Sequence, residues 1–364
     1  MSPISVPPTP SATGALQTPN STDDLQTRHP SGRSGGGRHT SRLLFGKAAW
    51  VRLTVVAAML LAGPLAPPGV RTIILVTLIY GLYAMAYDLL LGYSNQPSLG
   101  QGLFFGLGMY GVALPIVDHG VNVAAALLAA ALAGGIAALV IGLVAVRLAN
   151  AFHVIFTALF AAIAYMIANT LTPITGGSGG RTITLPPLKL GPWEVSLYGP
   201  YATYLLVAVV VAFVYLLLDR LVASPVGKIW TAIRENPERA ANIGIHVYRY
   251  RLAAFVLSGL LTAVAGGLYA VMLRFASSEF FSFTWSVLPF VWVLVGGIGT
   301  IIGPLLGAVI FALFQFYVAQ LWTHYLLILG VALLVLLRWS PKGVVGVWRS
   351  FRARRSASGK KDVR

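Results

Sequence analysis

The chain contains no cysteine in 364 residues. That excludes disulfides, thiol nucleophiles and thiolate metal sites. Charge is scarce too. Asp, Glu, Lys and Arg make up 10% of the residues, against about 25% in an average soluble domain. So few charges cannot cover a water-facing surface. Acids are scarcest, with 10 Asp+Glu against 26 Lys+Arg. Asp88 is the one acid set well inside an apolar stretch, and no paired carboxylates converge there. The six histidines, at 29, 39, 119, 153, 246 and 324, show no H-E-x-x-H or other ligand spacing. "GGSGGRT", 176–182, looks superficially like a phosphate loop but lacks its Lys, and reads as a flexible loop. No catalytic constellation, metal site or cofactor site emerges, so the sequence reads as a non-enzyme.

What is abundant is apolar sequence: 57% of residues are hydrophobic and the mean hydropathy is +0.79. Runs of about 20 apolar residues, the length that spans a bilayer as helix, recur along the chain. Ten candidate spans follow: 49–67, 71–92, 98–118, 122–147, 152–173, 201–219, 252–273, 285–298, 301–320 and 324–338. The fold class is all-α, a polytopic membrane protein. The stretch 285–298 is short enough either to cross or to re-enter. Residues 1–48, rich in Pro, Ser, Thr and Gly, read as a disordered tail. Residues 49–338 form the membrane domain, interrupted by a charged loop at 219–251, and 339–364 form a basic tail.

The charge pattern gives a topology. All Lys and Arg except Arg71, Arg181, Lys189 and Arg274 fall on one side when the ten spans are threaded. The positive-inside rule then places both termini in the cytoplasm. The net charge of +16 is read as topology and a lipid bilayer, not as nucleic-acid binding.

Several stretches carry candidate roles. "GYSNQPSLGQGLFFG", 92–106, sets Ser94, Asn95, Gln96, Ser98 and Gln101 among glycines and a proline between two apolar runs. Two readings stand open from composition. Irregular polar backbone at membrane depth lines a solute path, whereas the same residues also make an ordinary interfacial turn. Asp88, one helical turn before Gly92, reads as a snorkelling or capping acid, because the neighbouring spans offer no basic partner. Gly102 and Gly106, and Gly299, Gly303 and Gly307, repeat at a spacing that puts them on one helix face for close packing. In the charged loop, Ser224-Pro225 and Asn236-Pro237 start two short helices, and Gly244 suits the residue just past a helix end. Such helices dock a partner or the membrane surface.

These residues also carry a resemblance. The stretch 86–114 resembles the signature of LivM-type permease subunits of branched-chain amino-acid ABC transporters. Residues 175–187, 227–270, 293–311 and 337–346 are similar to four further blocks of that family, in the same order. The resemblance implies about ten helices in a type II importer-like permease. It implies a second permease of the LivH type, two ATP-binding subunits and an extracytoplasmic solute-binding protein as partners. The place it implies is the bacterial plasma (inner) membrane. It further implies that Glu238, Ala240, Ala241 and Gly244 correspond to the loop pattern that docks the ATPase, with Arg239 in place of the pattern's first Ala. The expected solute is a branched-chain amino acid or a similar small polar molecule. Urea or short amides are the alternative within the family. A secondary transporter, a channel or a membrane enzyme are the alternatives outside it.

Overall fold

A computed structural model of the chain describes residues 39–148, 150–190 and 193–321. The expected tail up to residue 38, the span 324–338, the block 337–346 and the tail 339–364 lie outside the described residues. The contacts divide the chain into two units, Met1–Trp50 and Val51–Arg364. The described part of the first is the opening of helix α1, which runs His39–Leu65. That helix starts before the expected boundary at 49, in a stretch of Arg, Leu, Lys and Ala that are good helix formers. Everything below concerns the second unit.

The described residues are almost wholly helical. After α1 come α2 (Pro68–Asp88), α3 (Gln101–His119), α4 (Val123–Ala145), α5 (Asn150–Thr170) and the single turn α6 (Thr172–Thr175). Then follow α7 (Pro200–Ala223), α8 (Pro225–Glu235), α9 (Pro237–Asn242), α10 (Val247–Leu273), α11 (Phe283–Gly296) and α12 (Ile302–Leu321). A π-helical turn, Leu89–Tyr93, extends α2. Six helices among the described residues are long and apolar enough to cross a bilayer: 68–93, 101–119, 123–145, 151–170, 201–223 and 247–273. They match six of the expected spans to within a few residues. The apolar stretches 52–65, 283–296 and 302–317 are shorter. At 14 residues, α11 rises about 21 Å, less than the ~30 Å of a hydrocarbon core.

Local chemistry sets the boundaries. Pro68, Pro200, Pro225 and Pro237 open their helices at the position where a missing N–H costs nothing. Asn122 caps α4 by accepting from Ala124 N at 3.3 Å. Gly120, at φ +62°, ends α3.

At the centre, α10 packs against α2, α3 and α4, while α12 packs on α2 and α11. Small residues make the approach possible. A Cβ on Gly108 would strike the Ala263 carbonyl, and one on Gly266 would strike that of Phe105. In lipid, where tails are as apolar as leucine, such close packing is what holds helices together. An aromatic cluster fills the space between α2, α3, α10 and α11. There Tyr80 stacks on Trp292 at 4.6 Å and Phe105 on Trp285 at 5.1 Å. By contrast, α4 and α5 turn Leu128, Leu132, Ile136, Ile155, Leu159 and Ile163 outward. Exposed apolar faces of this kind suit contact with lipid or another membrane subunit.

The Gly-rich segment 176–182 is built into the fold, which corrects its reading as a flexible loop. Arg181–Thr182 (β1) pairs antiparallel with Phe275–Ala276 (β4), just after α10. Gly176, Gly177 and Gly180 adopt positive φ. Thr175 Oγ1 donates to Ala168 O and Leu171 O, and Tyr110 Oη donates to Thr175 O. A two-residue pairing with a partner almost a hundred positions away leaves no local signal. A second small hairpin joins Leu188–Leu190 (β2) to Trp193–Val195 (β3).

Candidate functional site: a broken helix pair beside a charged loop

The stretch 92–106 sits where α2 ends and α3 begins. Leu89–Tyr93 widens into a π turn, and the chain then runs irregularly to Gln101. Asn95 takes φ +51°, a left-handed conformation that Asn tolerates better than most residues. This lets Gln96 N donate back to Leu90 O at 3.0 Å.

The polar side chains do different things. Ser94, Gln96, Ser98 and Gln101 are buried, whereas Asn95 is exposed. Gln96 Nε2 donates to Ser94 Oγ at 2.6 Å, but Gln96 Oε1 is buried without a hydrogen-bond partner. An unsatisfied buried amide oxygen is costly and uncommon. Ser98 Oγ accepts from Gly100 N at 3.2 Å, and Ser98 O accepts from Tyr87 Oη at 3.0 Å. Gln101 bridges to α10 at both ends of its amide: Nε2 donates to Ser258 Oγ at 3.4 Å, and Oε1 accepts from Thr262 Oγ1 at 3.0 Å. The expected cluster therefore divides. Ser94, Asn95 and Gln96 form the break, in which Gln96 Oε1 is the unsatisfied group, while Ser98 and Gln101 tie the break to its neighbours.

Asp88 is buried with 1% exposure, which rules out snorkelling. It caps neither its own helix nor the π turn that follows; instead Oδ1 accepts from Gly299 N at 2.9 Å, in the turn between α11 and α12. A basic group is near as well, supplied by the charged loop. Arg234, the last Arg of α8, donates through Nη1 to the Gly92 carbonyl.

The glycines also divide. Gly102 N donates to Ser286 Oγ at 2.9 Å, and a Cβ on Gly106 would strike the Phe281 ring. Gly303 and Gly307 meet α11, where added Cβ atoms would collide with Gly297 O and Trp292 O. Gly299 does not share their face. It precedes α12, in the turn, at φ +73°. The correction has a physical cause: helical spacing has no meaning before the helix has begun.

The charged loop folds as two helices. Asn236 caps α9, accepting from Arg239 N at 2.8 Å, and Gly244 takes φ +86° just past its end. Glu238, Ala241 and Gly244 are exposed, and Ile243 beside them presents an apolar side chain that is 72% exposed. Ala240 faces the other way, buried at 3%, so it supports the loop from beneath. Trp230 anchors α8 by donating from Nε1 to Tyr250 O at 2.8 Å.

A cavity of about 420 Å³ lies between α2, α10 and α12, toward the opposite end of the bundle from α8 and α9. Thr72, Tyr80, Tyr269 and Gln315 supply its polar groups, and Ile73 and Val76 are among its apolar ones. The sequence reading did not select these residues. The signal available was a polar or amphipathic side chain within an apolar span: Thr72, Val76 and Tyr80 follow a four-residue step on one helix face. No group of three His, Cys, Asp or Glu that could hold a metal occurs among the described residues.

Comparison with known proteins gives the family. A family profile described as "Branched-chain amino acid transport system / permease component" matches residues 69–337. The chain is 26% identical over 301 residues to the high-affinity branched-chain amino acid transport system permease protein LivM of Escherichia coli, covering 77% of this chain and 71% of that protein. It is 27% identical over 293 residues to the Salmonella typhimurium protein of the same name, covering 75% and 69%. A probable LivH permease of Methanocaldococcus jannaschii is 31% identical over 137 residues, 35% of this chain and 43% of that protein. No solved structure matches. The chain belongs to the family of branched-chain amino acid transport system permease components, whose profile spans the helix bundle, the broken α2–α3 junction and the two-helix loop.

Proposed function

We propose that this permease carries a branched-chain amino acid, or a small polar solute of similar build, into the cell, driven by ATP hydrolysed on partner subunits. The observation that carries the reading is the family match across 69–337, which takes in the cavity, the broken junction and the loop. The solute is suggested by the relatives, each named for branched-chain amino acid transport. The partners are a second permease of the LivH type, two ATP-binding subunits and an extracytoplasmic solute-binding protein. The membrane is the bacterial plasma membrane, with both termini cytoplasmic.

The charge distribution supports that orientation. Arg220, Lys228, Arg234, Arg239 and Arg249 gather about α8 and α9, whereas Arg71, Arg181 and Arg274 lie at the opposite end. On this topology the 420 Å³ cavity opens toward the outside. It has room for a small amino acid, and mixes apolar walls with hydroxyl and amide groups. The break at Ser94, Asn95 and Gln96 forms the inner part of the path. Gln96 Oε1, which has no partner, accepts from a passing ammonium or amide. Glu238, Ala241 and Gly244 dock an ATPase subunit, with Ala240 packed behind them. A secondary transporter would call for ion-coupling carboxylates at mid-membrane. Asp88 lies instead at the end of α2, held by Gly299.

The test is uptake into proteoliposomes holding the complete complex, with ATP inside and the binding protein outside. Labelled leucine should accumulate only with ATP, and isoleucine and valine should compete. Competition by urea or acetamide alone would move the solute to the amide class. Accumulation driven by an ion gradient without ATP would overturn the reading.

A further inference from the structure

Four elements meet at one point below the broken junction, and no role above uses all of them. The α2 end brings Asp88, the π turn brings Gly92, the α11–α12 turn brings Gly299 and α8 brings Arg234. They are packed backbone to side chain. A Cβ on Gly92 would strike the Asp88 carboxylate and Gly299 N, and one on Gly299 would strike Arg234 Nη1. Gly92 is therefore required by the backbone it meets, and Gly299 by its φ of +73°.

The Gly92 carbonyl needs an outside donor. Its α-helical partner would be Gln96 N–H, but that group is bonded to Leu90 O. Its π-helical partner would be residue 97, a proline with no N–H. Arg234 supplies what the chain cannot. The same spot holds a second acceptor. Asp88 Oδ2 is buried with no hydrogen-bond partner within normal geometry, while Oδ1 is held by Gly299 N and the Thr300 amide also faces the carboxylate. A void of about 10 Å³, roughly the room one water needs, borders Asp88 and Tyr93.

We infer that Arg234 is a positioning residue with two seats, the Gly92 carbonyl and the Asp88 carboxylate, and that it latches the polar break to α8. Seated on Gly92, it fixes the end of the π turn and keeps Ser94 and Gln96 packed. When α8 is displaced, the guanidinium moves to Asp88 Oδ2, the Gly92 carbonyl is released and the stretch 94–96 opens. The guanidinium exchanges a carbonyl acceptor for a carboxyl group, a stronger partner once paired with the cation, so the motion does not strand a charge. This rests on the proposed docking of an ATPase at α8–α9 for the force that moves α8. It adds the residue that passes that motion into the path.

The absence of cysteine makes the test clean. Ser94, 0% exposed, is replaced in Ser94→Cys, the chain's one thiol, and maleimide labelling is timed in membrane vesicles of the full chain. Labelling should be slow with Arg234. Arg234→Ala should speed it about tenfold or more, the factor that matches one charge-assisted hydrogen bond. Arg234→Lys, still a donor, should return it toward the slow rate. A separate Ser278→Cys chain, also buried and at the opposite end, should label slowly in all three backgrounds. Equal Ser94→Cys rates throughout, or a rise at both positions in Arg234→Ala, would overturn the latch. The second seat is tested in the complete complex, where ATP should speed Ser94→Cys labelling and Asp88→Asn should remove that response. A response unchanged by Asp88→Asn would overturn the second seat. The first arm needs neither solute nor ATP, so a latch found in a complex that transports no amino acid would defeat the functional reading alone.

Discussion

At the scale of single residues, one run of polar letters hides two jobs. Sequence shows that Ser94, Asn95, Gln96, Ser98 and Gln101 are too polar for lipid, yet it cannot show which of them other helices satisfy. The partners of Gln101 are Ser258 and Thr262, more than 150 positions away. Its role is therefore invisible until α10 is in place. Gln101→Ala should lower stability by about 1–3 kcal/mol, because it leaves Thr262 without its acceptor. A lower melting temperature of the detergent-solubilised chain would show it. Asn95 behaves otherwise. It is exposed and sits at φ +51°, so Asn95→Gly should leave the melting temperature unchanged. Asn95→Val should cost about 1–2 kcal/mol in the same assay, from the strain of a left-handed β-branched residue.

At the scale of elements, boundaries were legible where short-range chemistry writes them. Ser224-Pro225, Asn236-Pro237 and Gly244 mark α8 and α9 in the sequence, and the structure starts and stops there. Face and register were less legible. Ala240 matches a docking pattern yet points inward, and Gly299 matches a helical spacing yet lies in a turn. Combining Glu238→Lys with Gly244→Leu should abolish uptake while membrane insertion stays intact. The first reverses an exposed charge, and the second puts a side chain at φ +86°. Normal uptake with normal ATPase co-purification would count against docking at this loop. The α11–α12 pair supplies a test of packing. Gly307→Ala drives a Cβ into the Trp292 carbonyl and should cost about 1–3 kcal/mol, read as lower yield and melting temperature of the purified chain.

At the scale of the whole molecule, composition was enough for the class, because 10% charge and 57% apolar residues admit few alternatives to a membrane bundle. Six long spans stand where apolar runs put them. The short α11 was legible as the short apolar stretch 285–298, whereas the ordered Gly-rich segment was not, since its strand partner lies far along the chain. The central claim is that the break between α2 and α3 forms part of the solute path. It is tested most directly by a chain carrying Ser94→Ala, Asn95→Gly and Gln96→Ala, with Gln101 kept so that packing on α10 survives. Uptake of labelled leucine and binding-protein-stimulated ATP hydrolysis are measured together in proteoliposomes of the complete complex. The account predicts uptake reduced about tenfold or more, as the loss of one or two buried hydrogen bonds to solute requires, with stimulated hydrolysis retained. Uptake at the level of the unaltered chain would contradict it, and would make the break a turn and nothing more.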